Sequence, residues 1–248
     1  MKKKILYVIL IFIAIMSINL VFSSKVEARI NYNSELEYEE NEDGGITVYA
    51  TSKSIQNITI PSTIDGKNVT KIGESAFENC NSLQSIQLPE TLEKIENYAF
   101  YGCYELKEIN LPDSVYIIGS YAFECCKQLK SITIPYGVSS IGYETFKDCE
   151  LLKTVNVPDS VTSIGWEAFS NCKSLESISL KNVKTMGVSI FEGCTNLSSV
   201  ENMRDLDDIS INTFKDCVSL KNIKLPESIK YIGNKAFYNT RYNRNYNT

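Results

Sequence analysis

"ITIPYGVSSIGYETFKDCELLKT", residues 132–154, holds three phrases: an alternating Ile-x-Ile-Pro, a Val-x-x-Ile-Gly, and a run carrying an aromatic residue, a thiol and a leucine. The alternation suits a short strand with one buried face, and the proline, lacking an N–H, ends its hydrogen-bond ladder. In the preceding unit the apolar side chains fall at Ala122, Phe123, Cys126 and Leu129, a spacing that predicts one side of a tight helical turn. A unit this short cannot bury both apolar faces alone, so they meet each other and neighbouring copies of the unit.

Copies are abundant. Phe77, Phe100, Phe123, Phe146, Phe169, Phe191, Phe214 and Phe237 follow at intervals of 23, with one interval of 22 before Phe191. Cys80, Cys103, Cys126, Cys149, Cys172, Cys194 and Cys217 keep the same beat, and a leucine follows each of them, from Leu83 to Leu220. The six prolines, Pro61 to Pro226, share one repeat position. Such self-similarity is the signature of a solenoid, in which short parallel strands stack on one side and short helical turns on the other. Before each periodic cysteine stands Asn, Gly or Asp, or in one unit Cys125, so this position is expected to take a left-handed backbone and stop the turn.

The unit Ile-x-Ile-Pro-x-x-Val-x-x-Ile-Gly-x-x-Ala-Phe-x-x-Cys-x-x-Leu closely resembles the BspA-type leucine-rich repeat, in eight tandem copies over about residues 58–240. The lead-in, residues 29–57, is similar to the hairpin cap of such proteins, and the first repeat is longer, as is common among them. Independently of the resemblance, Asp43-Gly44-Gly45 between alternating segments predicts a hairpin that covers the open edge of the ladder. Residues 241–248 form a polar tail, expected to be frayed or an incomplete cap. The resemblance implies an exported bacterial protein that attaches to host matrix, to other cells or to surfaces.

The first 28 residues support export: three lysines, an apolar run from Ile5 to Phe22 and Val26-Glu27-Ala28 read as a signal peptide cut after Ala28. No membrane span is expected after that cut, and the location is secreted or cell-surface associated. Cleavage leaves 21 basic and 29 acidic side chains, a net charge near −8 that disfavours nucleic acid as a partner. The chain has no histidine, and its thiols sit on separate repeats rather than in CxxC pairs, so neither a metal nor another cofactor is expected. Adjacent acids such as Asp207 and Asp208 point apart, and no nucleophile constellation stands outside the repeat, which argues against an enzyme.

Equivalent residues of stacked repeats lie about 4.8 Å apart with parallel side chains, so the seven periodic thiols are expected as buried core rather than disulfides. Cys125 alone is off the beat, expected to face water and to be the one thiol able to link two chains of an otherwise monomeric protein. Binding is expected on outward surfaces. The centre of the sheet face, expected to be concave, carries Gln87, Asn110, Thr133, Asn156, Ser179, Glu201 and Lys224, which suit hydrogen-bond-led recognition of a glycan or an extended peptide. A second candidate is an aromatic stripe of Tyr98, Tyr121, Tyr143 and Trp166, beside Tyr101 and Tyr104. Two readings follow: a binding or adhesion protein for a protein or glycan partner, and a spacer that displays other modules without a tight ligand.

Overall fold

The computed structural model, which describes residues 29–242, is a solenoid of eight turns, each contributing two short strands. In one turn these are Ser131–Thr133 and Ser140–Ile141; they pair in parallel and in register with Thr154–Asn156 and Ser163–Ile164 of the next. Repetition lays two rows of parallel strands along the molecule, the first and second sheets, each hydrogen-bonded as three shorter sheets, with Ile132 and Val155 of the first and Ile141 and Ile164 of the second pointing into one core. Apart from Lys67–Ile72 in the first turn, these strands stay at two or three residues because the proline or turn after each interrupts the ladder. The expected leader, residues 1–28, lies outside the described residues.

The third side of each turn corrects one expectation: among the described residues it contains no helix. It is a chain of tight turns that also bonds from repeat to repeat, Phe100 N to Ala122 O at 2.8 Å and Phe146 N to Ala168 O at 2.9 Å. The reason is backbone handedness. Every repeat carries two left-handed residues four apart, such as Tyr121 (φ 61°) with Cys125 (φ 61°) and Glu144 (φ 50°) with Asp148 (φ 57°). A left-handed residue stops a right-handed turn from propagating, and the amide N–H groups so released reach the next repeat. The position before the cysteine was legible as left-handed; the other, filled by residues as different as Ser75, Tyr98 and Lys235, was not.

The eight periodic phenylalanines form one continuous stack, centroids 5.3 to 5.7 Å apart and planes within 24°. All but the last are fully buried, and burying each ring contributes about 1.5–3 kcal/mol. Behind the rings the thiols do more than fill space. Each of Cys103, Cys126, Cys149, Cys172, Cys194 and Cys217 donates its S–H to the carbonyl of the phenylalanine one repeat back, at 3.0 to 3.3 Å. Cysteine thus combines small apolar volume with a donor that ties adjacent turns together. No described pair of cysteines is bonded, and burial pushes these thiols far above their ordinary range.

The two ends differ. At the N-terminus Leu36–Glu40 and Ile46–Ala50 form the expected hairpin, turning through Gly44 (φ 84°), and the second of them pairs in parallel with Lys67–Ile72. The hairpin therefore covers the edge of the second sheet, while Asn57–Thr59 remains the edge of the first. The extra length of the first repeat is a small hairpin of its own, Thr63–Ile64 against Lys67–Asn68 across Asp65-Gly66 (φ 52° and 77°); that Asp-Gly pair was a readable signal that the sequence analysis passed over. At the C-terminus Tyr242 folds back onto Phe237, centroids 4.9 Å apart, and extends the aromatic stack by one ring. Of the polar tail, Arg241 and Tyr242 are described, and residues 243–248 lie outside the described residues.

Candidate functional site

Among the outward rows, the first sheet places Gln87, Asn110, Thr133, Asn156, Glu201 and Lys224 in solvent, with Ser179 half-buried. Pairing brings Thr133 beside Asn156 and Ser179 beside Glu201, as the repeat predicts. Four of the seven side chains already have partners: Thr59 donates to Gln87 at 3.0 Å, Asn156 to Thr133 at 3.0 Å, and Asn202 to Ser179 at 2.9 Å. Satisfied side chains of this kind have less to gain from a ligand, because binding must first break a bond already made.

The aromatic stripe divides into two pairs. Tyr98 and Tyr121 stack face to face at 4.5 Å and 3°, with Tyr101 edge-on to Tyr98 at 6.0 Å. Tyr143 and Trp166 lie 5.5 Å apart but tilted by 50°, and are 50% and 61% exposed. The break follows from register: the first pair occupies the left-handed residue of its turn, the second pair the residue before it. A one-residue offset sends the two pairs to different surfaces.

Tyr143 and Trp166 wall a shallow groove of about 470 Å³ on the second sheet. Its floor holds one row of Ser140, Ser163 and Thr185, in register with one another, and one row of Gly142, Gly165 and Gly187. A Cβ on Gly187 would lie 2.3 Å from Trp166 Cδ1, and one on Gly165 would lie 2.7 Å from the Gly142 carbonyl carbon. The glycines keep the floor bare and give the indole its place. The two rings are conspicuous in the sequence, whereas the hydroxyl row beneath them is not, although the x-Ile-Gly phrase carries it one residue before each isoleucine or methionine.

A larger hollow of about 890 Å³ lies beside the cap, lined mainly by acids. Several of these already have partners, Asp43 with Lys71 at 2.9 Å and Glu39 with the Tyr49 hydroxyl at 2.5 Å.

Cys125 is half-buried rather than fully in water. Burial, then Asp148 and Glu124, push its thiol up to about 11, so little of it is thiolate at neutral pH. Its sulfur, a Glu124 oxygen and an Asp148 oxygen lie within 4.8 Å of one another, a grouping across two repeats that sequence analysis did not find. Asp148 also accepts a bond from Asn171 at 2.9 Å. Nearby, Lys147 pairs with both Glu144 and Glu167 at 2.7 Å, while burial and then Glu144 raise the Glu124 carboxyl to about 7.

A solenoid built from Phe, Cys and Leu rungs over two short-stranded sheets defines a leucine-rich repeat protein. The chain belongs to the BspA-type leucine-rich repeat family, whose repeat region, six copies, matches residues 45–164 and 117–244. Solved structures agree. A leucine-rich repeat protein of T. pallidum is similar at 27% identity and TM-score 0.56, over 82% of this chain and 86% of that one. A leucine-rich cell surface protein of Faecalibacterium prausnitzii is similar at 25% identity and TM-score 0.59, over 85% and 74%. The pneumococcal vaccine antigen PcpA, at 19% identity and TM-score 0.51 over 85% and 78%, shares the fold. No curated protein matches the sequence. No helix of the described residues is long and apolar enough to cross a membrane.

Proposed function

We propose that this is an exported, non-enzymatic binding protein, secreted or held at the bacterial surface, which attaches to a protein or glycan of a matrix or another cell through the outside of its solenoid. One observation carries the reading: the residues that repeat are consumed by the interior, and only the outward rows vary from turn to turn. Regular rungs fix the backbone, and variable outward side chains select a partner. The lack of histidine and the protonated, sealed thiols of the ladder support a non-catalytic role. Export is supported by the leader, residues 1–28, with its three lysines, apolar run and Val26-Glu27-Ala28. A monomer is the proposed state, with the half-buried Cys125 the one thiol placed to link two chains.

The test is a screen of purified residues 29–248 against matrix proteins and glycan arrays. Saturable binding to a defined partner is expected. No binding in either screen would favour the spacer reading, to which the hydrogen bonds already made by four side chains of the first sheet's outward row lend specific support.

A further inference from the structure

We infer that the groove between Tyr143 and Trp166 is a binding site for a linear, neutral saccharide. This deepens the binding reading above and rests on it. The groove is lined by Ser140, Ser163 and Thr185, three glycines, two exposed aromatic rings and the buried side chains below them. None of these lining residues is charged, on a chain whose net charge is −5. A polyanion finds no cation here and a basic segment no carboxylate, so the complementary ligand is neutral.

Two further features select a sugar over a peptide. The hydroxyls of Ser140, Ser163 and Thr185 make no side-chain hydrogen bond among the described residues, unlike the row of the first sheet, so each is free both to donate and to accept. The tilt of Tyr143 against Trp166 leaves ring faces uncovered, whereas Tyr98 and Tyr121 spend theirs on each other. A pyranose has apolar C–H faces and a polar hydroxyl rim, and it fits an aromatic wall beside a row of hydroxyls. The rungs repeat at about 4.8 Å, a step that lets successive residues of a linear chain meet successive turns. The floor has no deep apolar pocket to seat the large anchoring side chain that a tight peptide contact needs.

Trp166 is the single tryptophan of the chain, so its emission reports this groove alone. The experiment titrates the exported protein with cello-, xylo-, malto- and chito-hexaoses, with oligogalacturonate and an extended neutral peptide as comparators, and follows tryptophan fluorescence. A saturable change is expected with at least one neutral hexaose and with neither comparator. Tyr143→Ser, which keeps the reporter, should weaken that binding by about ten-fold or more, while Tyr98→Ser leaves it unchanged. Circular dichroism confirms that both variants are folded. The inference is overturned if no neutral hexaose perturbs Trp166, if a comparator binds better, or if Tyr143→Ser binds as the parent does. Matrix and array binding by the parent protein, measured alongside, separates the failures: attachment without any hexaose response of Trp166 removes this site and leaves the adhesion reading standing.

Discussion

Two aromatic rows run along this molecule, the outer one slipping by one residue against the inner between Tyr121 and Tyr143, and they do different work. The inner row, Phe77 to Phe237, is unbroken, parallel and, but for its last ring, fully buried. The outer row, Tyr98 to Trp166, breaks after two rings, and its second half stands in water with its planes tilted by 50°. Identical geometry at every rung is what packing demands, since a buried ring displaced by one residue leaves a void. Deviation from that geometry is tolerated only where nothing is packed, and there the ring is available to something else.

The comparison breaks first at its inner member. Phe146→Ala should lower the unfolding free energy by about 3–5 kcal/mol, measured by urea denaturation. A loss below about 1 kcal/mol would mean that the stack is ornament. Next comes Cys149→Ala, which removes a buried sulfur and the bond it donates to the Phe123 carbonyl at 3.1 Å. The expected loss is about 1–2 kcal/mol, and an unchanged midpoint would show that the thiol ladder ties nothing. On the outer row the two halves should part company. Tyr98→Ser, which unstacks Tyr121, should cost about 0.5–1.5 kcal/mol, and Trp166→Ser less than about 0.5 kcal/mol. The reverse order would place the structural load on the groove and take away its freedom to bind.

The smallest effect concerns pH. The Glu124 carboxyl is raised to about 7, from 4.5, by burial and then by Glu144. The folded chain therefore holds this proton more tightly than the unfolded chain does. The associated stability is intact below about 4.5 and is lost as the pH rises through about 7. Glu124→Gln should flatten that decline, melting above its parent at alkaline pH and level with it in acid. Equal melting curves across the range would show that the carboxylate is already solvated.

Most of the fold was legible because the interior repeats: Phe, Cys, Leu and Pro at fixed offsets leave no second register. Helical turns were expected where the structure has turn ladders, because a left-handed residue at Tyr98, Glu144 or Lys235 carries no compositional mark. The cysteines read as small apolar groups, and only the approach of each sulfur to a carbonyl one repeat back revealed a donor. Strand alternation made the outward row of the first sheet legible, although Ser179 is half-buried within it. The bonds that Gln87, Thr133, Asn156 and Ser179 already make were hidden, since pairing between repeats depends on rotamers as well as on period. The groove was half legible: its rings were conspicuous, whereas Ser140, Ser163 and Thr185 are ordinary residues until register aligns them.

The claim beneath all of this is that seven thiols are shut inside one dry core while Cys125 alone reaches its boundary. Counting alkylated cysteines by mass spectrometry, without reductant, tests it directly. In the native protein at most one of the eight cysteines, Cys125, should react, and slowly; after unfolding, all eight should. Rapid labelling of ladder thiols in the folded chain, or a count below eight after unfolding because some are joined as disulfides, would contradict it.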